Sequence, residues 1–174
     1  MESTLKDLKE RRSIRAYKPE QIKEEELQKI LEAGTYAPTG MGAQSPKIIV
    51  VQDRKTRDYL SELNARAMGT DTDPFYGAPT VLVVVASKER PTYREDGTLV
   101  LGNLMNAAYA VGVGSCWIHR AREVFESEEG RELLKKWGIE GDYAGIGHCI
   151  LGYPAEDAAP ETAPRKKDYI VYVR

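Results

Sequence analysis

The stretch "TVLVVVA", residues 80–86, runs through four valines and a leucine with no polar residue between Thr80 and Ala86. A strand with one wet face alternates apolar and polar residues; an unbroken β-branched run is a strand covered on both faces. Such a strand needs helices above and below it, and the flanking sequence supplies them. From Lys23 to Ala33, Leu27, Ile30 and Leu31 form an apolar stripe, with Glu24 to Glu26 suited to the helix start and Gly34 to its stop. Between Leu99 and Val113, Leu101, Leu104, Met105, Ala108 and Val111 keep helical spacing with few polar interruptions, which predicts a helix buried nearly all round.

Further out, "IIVV" (48–51) reads as a short buried strand, and Asp53 as the cap of a helix turning Leu60, Leu63 and Ala67 inward with Tyr59 at its edge. "SKERPTYREDG" reads as a polar loop. "GVGSCWI" breaks the apolar helix and continues as a strand, and Ser127 opens a helix that Lys135, Lys136 and Gly138 close. "YAGIGHCILGYP" and "DYIVYV" read as two more strands. Helices and strands interleave with uneven crossovers, and no Gly-rich turn joins a first strand to a first helix. The expected architecture is α+β, a mixed sheet with helices on both faces.

At 174 residues the chain is the size of one domain, residues 1–174, able to bury a core without disulfides or metals. With 25 Lys+Arg against 27 Asp+Glu it lacks the basic excess of a nucleic-acid or membrane-surface binder. "MESTLKDLKERR" is charged and has no apolar centre, so it does not read as a signal peptide, and no apolar run is long enough to span a bilayer. A cytoplasmic protein is expected. Cys116 and Cys149 lie in apolar stretches, where a reduced buried thiol is the ordinary reading.

Against that charge balance, "KERRSIRAYKPE" (9–20) concentrates Arg11, Arg12, Ser13 and Arg15. If "SIRAY" is extended, Ser13, Arg15 and Tyr17 share one side. Guanidinium forks and a hydroxyl suit a phosphate, although a short basic run taken alone is more often a solvated face. A second basic cluster, "PRKK" (164–167), could serve the same dianion if the termini meet. The loop "TYAPTGMGAQSPK" has Gly40 and Gly42 for close approach to a flat ligand and Thr39 and Gln44 for its polar edges; the alternative is a plain turn. "GVGSC" and "GIGHC" do not complete a dinucleotide fingerprint. Cys116-x-x-His119 and His148-Cys149 offer four N/S ligands, but adjacent strand residues face opposite ways, so no metal site is expected. No Ser-His-Asp set or paired-carboxylate signature stands out.

The segments "RRSIRAY", "ILEAGTYAPTGMGAQSPKIIVV", "FYGAPTVLVVVA", "LGNLMNAAYAVGVGSCWI", "ILGYP" and "PRKKDYIVYV", in that order over nearly the whole chain, resemble the nitroreductase family of FMN-dependent oxidoreductases. The resemblance implies a three-layer sandwich with a mixed, mainly antiparallel sheet. It implies FMN as cofactor, with Arg11, Arg12 and Ser13 on the phosphate or ribityl side, helped by Arg165 and Lys167, and Arg15 nearer the pyrimidine edge. Pro38, Thr39, Gly40 and Gln44 match the family's flavin-contacting loop, and Gly145 to Gly147 would approach the far side of the ring. It implies NADH or NADPH as reductant and a nitroaromatic, quinone or similar small molecule as acceptor in a ping-pong cycle without a side-chain nucleophile. It also implies a homodimer with FMN in the subunit interface and the Leu99–Val113 helix packed there.

Two departures mark this chain. Gly42 stands where many members carry Asn and Ser45-Pro46 where many carry Pro-Trp, and the stretch between Ser87 and Gly97 leaves little room for the helical excursion that often roofs the pocket. Phe75, Tyr76 and Tyr93 are candidate pocket-lining aromatics. A flavin or nucleotide carrier or sensor without turnover, and a flavin or activated-alkene reductase, are the alternative readings.

Overall fold

A computed structural model describes residues 2–174. In chain order its elements are α1 (Glu2–Glu10), α2 (Glu24–Thr35), β1 (Pro46–Val51), α3 (Arg54–Met68), β2 (Thr80–Ser87), α4 (Tyr93–Ala110), β3 (Gly114–Ile118), α5 (Ala121–Glu126), α6 (Glu128–Lys136) and β4 (Tyr143–Gly152). The strands are ordered β1-β2-β4-β3 and every pairing is antiparallel. A parallel bridge between Ser13 and Ser115 adds the only parallel contact among the described residues and makes the sheet mixed at that edge.

β2 is central and dry: Val81, Val83 and Val85 face one layer, Leu82 and Val84 the other, all fully buried. The first set packs with Leu60 and Leu63 of α3, Val124 and Phe125 of α5, and Leu133 and Leu134 of α6. The second packs with Leu27 and Ile30 of α2 and Leu101, Leu104 and Ala108 of α4. Each buried side chain of this size stabilises by roughly 1.5–3 kcal/mol, so the two faces of one strand hold both helical layers.

The capping signals act as read: Asp53 accepts from the Thr56 N–H at 2.9 Å, and Ser127 from the Gly130 N–H at 3.1 Å. Gly34 does not stop its helix. It lies in the last turn of α2, where a Cβ would come 2.6 Å from Leu104 Cδ2 and 2.9 Å from Ile48 Cδ1, so its role is the close approach of α2 to α4 and β1.

Several expectations need correction. "DYIVYV" forms no strand; Tyr169 to Val173 are exposed and pair with no strand of this chain. β1 is an edge strand with only Val51 buried, not a buried one. The polar loop after β2 ends at Thr92, and α4 begins at Tyr93, so Tyr93 is helical. α4 is buried along one stripe rather than all round, with Leu99 46% exposed. Phe75 is fully buried, not a pocket-lining aromatic, because Asp73 folds its loop inward: the carboxylate accepts from Arg57 Nη2 at 2.6 Å, Ser61 Oγ, and the N–H groups of Phe75 and Gly77. Among the described residues no helix is long and apolar enough to cross a membrane.

Candidate functional site

After α1 the chain runs extended beside the β3 edge. The Ile14 N–H donates to the Ser115 carbonyl at 3.0 Å, Lys18 N–H to Tyr153 at 2.9 Å and Ala155 N–H to Ala16 at 3.0 Å. This pinning buries Ile14 and gives Arg11 to Arg15 a fixed frame. The four polar residues of the cluster then diverge in role. Arg12 turns back on α1, its Nη1 donating at 2.7 Å to the carbonyls of Lys9 and Arg11, where a cation suits the helix C-terminus. Ser13 bridges to Ser115 through the backbone. Arg15 is exposed and enters no ion pair among the described residues.

Arg11 is different. Its Nη1 is buried without a hydrogen-bond partner among the described residues, and so is Ser115 Oγ. Both residues line one cavity of about 250 Å³, with Ile14, Val113, Gly114, Pro154 and Ala159 around them. Glu10, at its rim, is engaged by Tyr109 Oη–H at 3.2 Å and Lys6 at 4.0 Å. A buried N–H of a guanidinium left unanswered is costly, and an anion in the cavity removes that cost.

The second cluster lies elsewhere. Residues 40–42 make one turn of 3-10 helix, with Met41, Gly42 and Gln44 in the left-handed region at φ 55°, 64° and 50°. Two of those three are not glycine, so the loop is strained and must be held. Thr39 Oγ1 accepts from the Gln44 N–H at 3.0 Å, and the Gly40 N–H donates to Asp96 Oδ1 at 2.8 Å. Thr39 and Gln44 line a largely apolar cavity of about 290 Å³ with Leu31, Ala37, Ile48 and Val100. That cavity shares no lining residue with the Arg11 cavity.

The remaining expected residues are dispersed. In β4, Val84 pairs with Gly147 and Val85 with Gly145, leaving Ile146 as a bulge that turns the two glycines to different surroundings. A Cβ at Gly145 would run into the Ala121 carbonyl of α5, and one at Gly147 into the half-exposed Trp117 indole. Pro38 sits in the turn between α2 and the 3-10 segment. Arg165 and Lys167 are in the exposed C-terminal segment, with Arg165 donating to its neighbour Ala163. Tyr76 is 43% exposed at φ 52°.

The cysteines stand on opposite faces of the sheet, Cys116 in the α3, α5 and α6 layer and Cys149 in the α2 and α4 layer. Burial pushes the Cys149 thiol up to about 12, which leaves it protonated and inert at neutral pH. Sequence reasoning missed Ser115 and Asp96. Nothing in composition separates them from other serines and carboxylates; only the tertiary contacts do.

These features define a class: a three-layer α+β sandwich with a half-buried arginine and a buried serine lining one small cavity, and a strained glycine-containing loop at a second cavity. The chain belongs to the nitroreductase family, whose model matches residues 8–153. A protein of Archaeoglobus fulgidus provisionally named NADH dehydrogenase/NAD(P)H nitroreductase is 32% identical over 163 residues, 90% of this chain and 88% of that one. FMN reductase [NAD(P)H] of Bacillus subtilis is 34% identical over 176 residues, 91% of this chain and 69% of that one. A Bacteroides fragilis nitroreductase crystallised with bound FMN superposes with a TM-score of 0.90 at 29% identity, over 98% of each chain.

Proposed function

We propose that this protein is a cytoplasmic FMN-dependent oxidoreductase that passes hydride from NADH or NADPH to a small acceptor such as a nitroaromatic or quinone. The observation that carries the reading is that Arg11 Nη1 and Ser115 Oγ, both buried without a partner among the described residues, belong to side chains lining one cavity. A phosphate monoester answers both groups at once, and charge-assisted bonds of this kind are strong in a low-dielectric cavity. Arg11 and Ser13 would hold the phosphate, with Arg165 and Lys167 reaching it from the C-terminal segment. Thr39 and Gln44 would hydrogen-bond the polar edge of the ring.

FMN, when bound, supplies a centre that accepts hydride from the nicotinamide and gives it to the acceptor, the two substrates using the site in turn. Arg15, exposed and in no ion pair among the described residues, would lie near the pyrimidine edge, where a fixed cation balances developing negative charge. The chemistry asks for no side-chain nucleophile, which agrees with the inert Cys149.

A homodimer completes the reading. The phosphate cluster and the flavin-loop cluster line separate cavities of one chain, so a ligand touching both draws them from two copies.

The test is the visible spectrum of the purified protein, reconstituted with FMN and then given NADH or NADPH without oxygen. Bleaching followed by recovery with a quinone is the expected result. A stable flavin complex that neither reductant bleaches would make the protein a carrier or sensor, and absence of any FMN complex would end the cofactor reading. Replacing Arg11 with alanine should weaken FMN binding at least tenfold, since a hydrogen bond to a charged group contributes about 1.5–3 kcal/mol.

A further inference from the structure

Asp96 is 2% exposed, in the first turn of α4, and its two carboxylate oxygens are both occupied. Oδ2 accepts from Thr92 Oγ1 at 3.0 Å, and Oδ1 accepts from the Gly40 N–H at 2.8 Å, across 56 residues of chain. The Asp96 N–H in turn donates to the Thr92 carbonyl at 2.9 Å, so the side chain is fixed from its own helix before it reaches the loop. On the loop side the fit is tight: a Cβ at Gly40 would run into Thr92 Oγ1. From Gly40 the restraint passes along the loop, whose turn is closed by the Gly42 N–H on the Thr39 carbonyl at 2.9 Å and the Gln44 N–H on Thr39 Oγ1 at 3.0 Å. These bonds hold Met41 and Gln44 in left-handed conformations that an unrestrained loop would leave.

We infer that Asp96 is a positioning residue for the cofactor loop: through the Gly40 N–H, and locked by Thr92, it sets the side chains of Thr39 and Gln44 for the flavin ring. The inference rests on the cofactor reading above. A carboxylate in the first turn of a helix also favours the helix by itself, through the unpaired N–H groups there. The two roles separate by geometry: helix support needs only an acid at position 96, whereas the clamp needs an acceptor at Oδ1 and a glycine at 40.

The experiment is FMN titration of the full-length protein, read by flavin fluorescence and by the position and shape of the bound flavin's absorbance bands, alongside thermal unfolding without FMN. Asp96→Ala should bind FMN about tenfold more weakly, with altered bands. Gly40→Ala should do the same, breaking the clamp from the loop side while leaving the acid in place. Asp96→Asn, which keeps an oxygen for Gly40 and offers its amide to Thr92 Oγ1, should restore most of the affinity and the wild-type bands. Thr92→Val serves if Asp96→Ala does not fold, and should fall between wild type and Gly40→Ala. Lower stability with unchanged affinity and bands in Asp96→Ala or Gly40→Ala overturns the clamp, and so does an Asn variant as impaired as the Ala variant. If the wild type takes up no FMN, the cofactor reading fails and the clamp with it; if the wild type binds and the variants match it, the clamp alone fails.

Discussion

His148 sits in the middle of β4, fully buried, with the ring of Phe75 at 5.2 Å and that of Phe125 at 6.2 Å. Neither ring nitrogen has a hydrogen-bond partner among the described residues. Burial lowers its pKa from 6.5 to about 4, and the nearby Ile118 backbone offsets only a little of that. The folded protein therefore resists protonation where the unfolded chain accepts it. Stability is full above pH 6.5 and is lost as pH falls toward 4, by about 1.4 kcal/mol per unit and about 3 kcal/mol in all. Asp73 acts lower: burial raises its pKa, but the bonds from Arg57, Ser61, Gly77 and Phe75 outweigh that and pull it below 3.8, so its contribution is lost only beneath that pH. Urea unfolding at pH 7 and pH 5 separates the two. His148→Leu should remove about 2 kcal/mol of the stability lost between those pH values. An unchanged pH dependence in that variant would assign the loss to other groups. At neutral pH the same variant should be no less stable, because it removes two buried polar atoms that nothing satisfies.

Helices were legible in the sequence wherever their apolar stripe was long enough to show a period, as in α2, α3 and α4, and where a capping side chain marked the end, as at Asp53 and Ser127. β2 was legible because burial on both faces leaves no polar residue to confuse its reading. The misses have physical causes. The six residues of α5 are too few to show a helical period, and Tyr93 to Gly97 begin α4 inside a polar run whose inward face is the single residue pair Asp96 and Gly97. Gly34 carries a stop signal in sequence and a packing role in space. Replacing it with alanine should cost about 1–3 kcal/mol, because the added methyl must displace Leu104 and Ile48 from a close-packed contact. Chemical denaturation measures this, and a loss under about 0.5 kcal/mol, within the ordinary scatter of surface substitutions, would mean that α2 slides to make room. The candidate site divides in the same way. Arg11 was legible because three arginines in five positions stand out against a near-neutral chain, whereas Asp96 is one acid among 27 and Ser115 one hydroxyl in an apolar strand.

Among the described residues, the C-terminal segment finds no packing role within a single copy of the chain. "DYIVYV" has the composition of a strand, yet Ile170 is 65%, Val171 81% and Val173 96% exposed. A strand is a tertiary property: the pattern states a preference, and only a ladder partner realises it. Apolar residues so exposed, next to the basic Arg165 and Lys167, fit a segment that meets a second copy in the homodimer proposed above. The consequence can be tested by substitution at positions with no packing to lose within the chain. Ile170→Asp with Val171→Asp should leave the monomer's fold and its far-ultraviolet circular dichroism intact, since neither side chain touches the core. In a dimer that buries them, two charges brought out of water are prohibitive. If the proposed homodimer holds, sedimentation should show the wild type as a dimer and the variant as a monomer, and FMN binding should fall together with dimerisation, because each flavin would lose the loop of the opposite chain. A variant that is still dimeric and binds FMN as tightly as the wild type would place the interface elsewhere, while a wild type that is itself monomeric with full FMN affinity would require one chain to close both half-sites.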